Sequence, residues 1–224
     1  MHPDCIEAVH NTASLLSDLG HHVEETSPEA LNDMGRVKEL GWAFGINWSV
    51  NIAANFAYLS KRLGREVVED DLEPGTWFLA QIGKEVSAIN FVKAQGIMSI
   101  LRRELADWWS SGFDLLLTPT TAQPPPLIGR LLPTEEDPIR ASTESIPYSV
   151  FTSPFNTTGQ PAISLPIGSS DGLPVGVQLV GAYGREDLIL EVSSQLEEVV
   201  KWSENLSLIH ISEPTRQEAI SYAV

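Results

Sequence analysis

One cysteine stands in this chain of 224 residues. Cys5 has no partner for an intrachain disulfide, and there is no CxxC pair to hold zinc. Histidine is scarce as well: His2, His10, His21, His22 and His210, none at the HExxH spacing of a catalytic metal site. P-loop and GxGxxG phosphate cradles are missing. The expectation is an activity with no metal and no cofactor. Cations are few. Lys and Arg total 14 against 30 Asp and Glu, a formal net charge of −16. That balance excludes nucleic acid and anionic membrane surfaces as partners, since both require cationic patches. No apolar run reaches the ~18 residues of a membrane span. The opening MHPDCIEAVH lacks the basic and apolar stretches of a signal peptide. A soluble cytoplasmic protein is expected.

What is present is ordinary globular composition. The chain is 42% hydrophobic and 20% charged, which excludes wholesale disorder. A chain of this length buries about 70% of its unfolded surface, enough for a sizeable core. Residues 3–19 read as an amphipathic helix, with Ile6, Val9, Ala13, Leu16 and Leu19 on one face and Asp4 and Glu7 as a capping pair. Ser27-Pro28 opens a second helical region. Its stripe of Phe44, Trp48, Ile52, Phe56, Leu59 and Leu63 has helical period and no polar convergence point, so it reads as core-facing and not as a ligand box. Glu69, Asp70, Asp71 and Glu73 lack the glycine-turned spacing of a calcium loop and read as solvated surface. Pro74 opens a long helix running to about Ser110.

After Gly112 the period changes. Residues 114–118 form a short apolar run ending at Pro119, which suits a buried strand. A proline-rich, acidic surface loop follows, through Pro124-Pro125-Pro126 and Pro133 to residues 135–138. Residues 161–167 and 175–180 read as two further strands, joined as a hairpin through the turn chemistry of residues 168–172. Residues 186–201 read as a last amphipathic helix with Leu188, Val192, Leu196 and Val199 inward. Helices and short buried strands together indicate a layered α/β domain.

Two constellations bear on chemistry. Gly168-Ser169-Ser170-Asp171-Gly172 matches G-x-S-x-G, and Ser170, Asp187 and His210 follow the order of a hydrolase triad. The residues after Gly172 are LPVGVQLVG, an apolar β-rich run and not the helix that a nucleophile elbow demands, so a plain hairpin turn is expected. The stretch from Ser153 to Gly181 is more informative. Asn156-Thr157-Thr158-Gly159 places polar side chains and free backbone just before a buried strand, where sheets of this kind hold ligands. A structural turn explains the same residues equally well.

The same stretch resembles the C-terminal part of the amidase signature family. The resemblance is carried by Thr152, Pro154, Asn156, Gly159, Pro161-Ala162 and Pro166, and then by Gly172-Leu173-Pro174-Val175-Gly176 and Gln178-Leu179-Val180-Gly181. DLLLTPTTAQPPP at 114–126 and the helix over residues 2–25 are similar to other family segments. EPGTWFLAQIGKEVSA at 73–88 is similar to members related to 6-aminohexanoate cyclic-dimer hydrolases. The resemblance covers residues 2–202. It implies an α/β fold, a mixed sheet flanked by helices on both faces, here incomplete. It also implies hydrolysis of a small linear or cyclic carboxamide by a serine nucleophile, with a second serine in a cis peptide and a neutral lysine relaying the proton. A close relative within the family is the glutamine-hydrolysing amidotransferase subunit, which is the alternative activity. A small-molecule amide is the implied partner, and a homodimer is compatible with the reading.

The Gly/Ser-rich loop that presents the family's nucleophile is not in this sequence. Lys38, Lys61, Lys84, Lys93 and Lys201 lie in segments that match other parts of the family, so no catalytic residue is carried over. Asn156, Thr157, Gly159 and Thr118 remain as candidate substrate-site wall. The family reads straight through the position of Met1. The expectation is therefore the second half of an amidase over residues 1–202, inactive alone, with uncovered apolar faces and poor solubility. A truncated, non-catalytic binding module is the alternative from another class. Residues 203–224 match nothing in the family, and LSLIHISEPTR looks like translated sequencing-adapter sequence, so this tail is expected to be non-native.

Overall fold

The computed structural model describes residues 1–132, 134, 137 and 140–202. The tail at 203–224, His210 with it, and Pro133, Glu135, Glu136 and Pro138 of the proline-rich loop lie outside the described residues.

The first helix, α1, spans Pro3–Asp18. His2 caps it: its Nδ1 accepts from the Asp4 N–H at 3.3 Å, in place of the expected Asp4 and Glu7 pair. The buried stripe is Cys5, Ala8, Thr12 and Leu16, rotated from the expected one, and Ile6 and Leu19 are exposed. The rotation follows from close approach. A Cβ on Gly168 would fall 2.6 Å from the Ala8 methyl, so small residues face the sheet here. The Thr12 hydroxyl, fully buried, is satisfied by donating to the Ala8 carbonyl at 2.7 Å.

The region after Ser27 begins as a single turn, α2, at Glu29–Asn32. Asp33 then turns extended, and its Oδ1 accepts from the N–H groups of Gly35 and Arg36 at 2.7 and 3.2 Å, starting α3 at Met34–Leu63. The expected helix from Pro74 to Ser110 is two helices, α4 at Pro74–Glu85 and α5 at Ala88–Ser110. Ser87 breaks it by accepting the Asn90 N–H at 3.2 Å, a cap hidden inside an apolar run. The three helices form a layer in which α4 and α5 pack on α3.

The aromatic stripe of α3 is only partly core. Phe56 is buried, but Trp48, Leu59 and Leu63 are exposed, and the inward side is Ala43, Ser49 and Phe56. Phe78, Ile89 and Val92 are exposed as well, the last two at 81% and 67%. The expectation of uncovered apolar faces is met in this helical layer. The acidic cluster is a short 3₁₀ turn at Glu69–Asp71 on the surface, held by Arg65 donating to Asp71 at 2.6 and 2.8 Å.

Among the described residues the sheet has three strands, β1 at Leu115–Pro119, β2 at Ala162–Ser170 and β3 at Leu173–Gly181, in the order β1-β3-β2 with both pairings antiparallel. The hairpin turn is tighter than expected, just Asp171 and Gly172 at φ 49° and 78°, the left-handed conformations of a two-residue hairpin loop. Between β1 and β2 the described residues form three short helices: α6 at Arg140–Glu144, α7 at Ile146–Ser149 and α8 at Ser153–Thr158. The last helix among the described residues, α9, spans Glu186–Val200. It buries Ile189, Val192, Ser193 and Leu196, while Val199 points to solvent.

Helices cover both faces of the sheet, so the architecture is an incomplete α/β fold. On one face, Leu165, Val175, Val177 and Leu179 pack with Cys5, Ala8 and Leu16 of α1 and Val192 and Leu196 of α9. On the other, Leu116 and Val180 pack with Leu101, Leu105 and Trp109 of α5 and Phe155 of α8. Each such fully buried aliphatic side chain contributes about 1.5–3 kcal/mol relative to leaving it in water.

Candidate functional site

The sheet face that receives α5 and α8 changes character along its length. Antiparallel register places Leu116, Val180 and Ala162 side by side, and two residues further on Thr118, Gln178 and Ser164. Period two keeps both rows on one face. The first row is apolar, with Leu116 and Val180 packed under α5 and Ala162 exposed. The second is polar and continues into Thr120, whose Oγ1 is 2.6 Å from Ser164 Oγ and whose N–H donates to the Gly176 carbonyl at 3.0 Å. A Cβ on Gly176 would fall 2.6 Å from Ser164 Oγ and 2.8 Å from Thr120 Oγ1, so any larger residue would push this hydroxyl pair aside. Beside these hydroxyls a cavity of about 170 Å³ is lined by Thr120, Gln123, Pro124, Tyr148, Ser164 and Gly176, among others.

Gln178 is the centre of the polar row. It is 4% exposed, and its Nε2 donates to Thr118 Oγ1 at 3.1 Å and to the Phe151 carbonyl at 3.0 Å. Thr118 in turn donates to the Pro119 carbonyl at 3.0 Å. Phe151 leads into α8, so Gln178 joins the end of β1 to the start of that helix.

Residues 156–158, expected as polar turn, are the last residues of α8. Gly159 closes it at φ 80°, the left-handed C-terminal position that favours glycine, and its N–H donates to the Phe155 carbonyl at 2.8 Å. Asn156 is exposed, and Thr157 is half-buried with its hydroxyl donating to the Ser153 carbonyl at 2.9 Å. The C-terminal carbonyls of α8 face Arg102 of α5, which donates from Nε to Thr158 at 3.1 Å and from Nη2 to Thr157 at 3.4 Å. This cation sits where the helix end carries partial negative charge.

Of the four candidate residues, Asn156 and Thr157 lie on α8 and Gly159 closes it, while Thr118 lies on β1 and is linked through Gln178 to the Phe151 carbonyl ahead of that helix. None of the four lines the 170 Å³ cavity. Arg102, Ser164 and Thr120 were not singled out from sequence, and Gln178 entered only as part of the family motif. Gln178 had a signal: it is the one polar residue in the run VGVQLV, and a lone amide in a buried strand needs partners. Ser170 lies 6% exposed within β2 and is followed by the hairpin turn and β3, so no strand-to-helix elbow presents it. Asp187 of that reading is bound to Arg185 at 3.0 Å, and the guanidinium holds its carboxyl below the usual range. Burial raises the Cys5 thiol, with the neighbouring Asp4 charge adding to it. Among the described residues no group of three His, Cys, Asp or Glu side chains is placed to hold a metal ion, and no helix is long and apolar enough to cross a membrane.

Comparison with known proteins places this arrangement. The family model described as Amidase matches residues 1–190. A 6-aminohexanoate-cyclic-dimer hydrolase from Paenarthrobacter ureafaciens is 37% identical over 206 residues, covering 89% of this chain and 41% of the relative. A putative amidase AmiC from Mycobacterium bovis is 32% identical over 207 residues, covering 90% of this chain and 41% of that protein. A solved structure of 6-aminohexanoate cyclic dimer hydrolase complexed with substrate superposes with a TM-score of 0.81 at 38% identity, covering 90% of this chain and 42% of the other. The chain spans about two fifths of the length of the curated relatives it matches.

Proposed function

The chain belongs to the amidase signature family, and from that premise we propose that it forms the C-terminal part of an enzyme that hydrolyses the C–N bond of small linear or cyclic carboxamides. The observation that carries this reading is the likeness to the cyclic-dimer hydrolase, 37% identical over 206 residues.

In the proposed reaction a serine oxygen attacks the amide carbonyl carbon. Backbone N–H groups of a Gly/Ser-rich loop stabilise the oxyanion, and the lysine–serine relay passes the serine proton to the departing amine. Water then releases the acid by attacking the acyl-enzyme. The nucleophile, its partner serine and the lysine belong to the family segment with no counterpart in this sequence, so this chain supplies none of them. Its contribution is a wall: Asn156 and Thr157 on α8, Gly159 at its end, and Thr118 on β1. Asn156 offers both a donor and an acceptor, the pair that a carboxamide needs for recognition.

The test is to re-read the coding DNA on both sides of the frame, express the intact product, and assay amine release from cyclic and linear 6-aminohexanoate amides, glutamine and simple aliphatic amides. Release from the 6-aminohexanoate amides by the intact product, and none from the 224-residue chain, is expected. Release from glutamine alone would move the assignment to the amidotransferase subunit. A stop codon directly upstream, with no activity from the chain, would favour the non-catalytic module.

A further inference from the structure

Helix α8 has six residues, too few to hold itself in place. Its N-terminal cap residue, Thr152, makes no capping side-chain bond to it. Its position must be set from outside, and the structure shows a polar anchor at each end. At the start, the Gln178 amide bridges Thr118 Oγ1 and the Phe151 carbonyl from a site that is 4% exposed. At the finish, Arg102 holds the carbonyls of Thr157 and Thr158. One anchor belongs to the sheet and the other to α5, so together they fix α8 relative to both layers.

The chemistry of each anchor is specific. A primary amide carries two N–H donors at a fixed angle, which matches two oxygen acceptors on different segments. A carboxylate at 178 would turn acceptors toward acceptors, and leucine would leave the Phe151 carbonyl without its partner. A guanidinium likewise spans two successive carbonyls with separate N–H groups, which a lysine ammonium does with weaker geometric definition.

We propose that Gln178 and Arg102 are positioning residues for substrate binding, holding α8 so that Asn156 and Thr157 stand at a fixed distance from the sheet. This rests on the reading of α8 as substrate wall. Neither residue touches the reacting bond; Gln178 acts through the Phe151 carbonyl, two residues ahead of α8, and Arg102 through the carbonyls of its last two residues.

Hydrogen exchange on the 224-residue chain tests the anchoring without any activity. In Gln178→Leu and in Arg102→Met, the amides of residues 153 and 155–159 should exchange about tenfold faster, the loss expected for about one part-buried hydrogen bond. The β2–β3 ladder should keep its protection. If Gln178→Leu loosens the whole sheet, Arg102→Met decides, because it leaves the sheet untouched. In the intact enzyme both variants should raise KM about tenfold while kcat stays within about threefold, since uniform binding is lost and the chemical step is not. Arg102→Lys should recover part of the KM. Unchanged exchange at 153–159 overturns the anchoring, and unchanged KM overturns the role in binding. An intact wild-type product that hydrolyses no amide removes the hydrolase reading instead, and leaves the exchange result to decide the anchoring alone.

Discussion

Gly83 of α4 packs against the backbone of Ser49 in α3, so closely that a Cβ on Gly83 would overlap the Ser49 carbonyl oxygen. The obstacle is main chain, which cannot rotate aside as a side chain can. Gly83→Ala should therefore lower stability by about 1–3 kcal/mol through overpacking. Gly96 in α5 has nothing within 4 Å of its would-be Cβ. Gly96→Ala should raise stability by about 0.5–1 kcal/mol, since glycine is a poor helix former. Urea denaturation of both variants gives the two signs, and equal effects would discount the α3–α4 contact.

The periodic signals were the legible ones. The hairpin of β2 and β3, the β1 run, α1 and α9 all follow from alternation or helical spacing bounded by glycine and proline. The break at Val86-Ser87 was not legible, because Ser87 sits inside a pattern that scans as one helix, and its local capping bond to Asn90 competes with continuing that helix. The inward face of α3 was misjudged for a related reason. Spacing finds an apolar stripe, but Gly83 against Ser49 shows that packing chose the small-residue side. At the candidate site, motif residues led to α8 and included Gln178, whereas the contacts that make Gln178 and Arg102 its anchors did not emerge. Gln178 lies 60 residues from Thr118 and 27 from Phe151, and no local pattern encodes such pairings.

Ile89 and Val92 show how exposed the helical layer is. Both lie near the start of α5 with their side chains in solvent. Replacing the pair by Ile89→Glu and Val92→Glu should raise solubility and reduce binding of an apolar dye. Stability should change by no more than about 0.5 kcal/mol per site, because neither side chain is packed and acidic residues are favoured at a helix N-terminus. A large loss of stability would mean that these side chains are covered in solution, for example by a second copy of the chain, and sedimentation would then show it.

Cys5 is fully buried, and its thiol is pushed up by that burial and by the Asp4 charge. A raised value keeps the sulfur protonated at neutral pH, and the thiolate is the reactive form. A thiol reagent at pH 8 should therefore leave the folded chain unlabelled over minutes and label it fully in urea. Slow labelling without denaturant would report the opening of α1 from the sheet. Rapid labelling of the native chain would place Cys5 at the surface, and α1 with it.

Asp71 gives the chain a defined acid response. Arg65 donates two hydrogen bonds to its carboxylate, at 2.6 and 2.8 Å, and the Val68 N–H adds a third at 3.0 Å. The Arg65 guanidinium first, and then this backbone bond, hold the Asp71 carboxyl well below the usual carboxylate range. A depressed folded value means that the unfolded chain takes up the proton first as pH falls. The contribution to stability is therefore complete above the ordinary aspartate value of about 3.9, and it drains away between there and the lower folded value. The pair is solvent-exposed, so its contribution is small and screened by salt. Asp71→Asn should lower the urea midpoint slightly at pH 7. The gap to the unsubstituted chain should narrow from pH 7 to pH 3, and also in 1 M salt. A gap that stays constant from pH 7 to pH 3 would show that the turn at Glu69–Asp71 is held by backbone geometry and not by the ion pair.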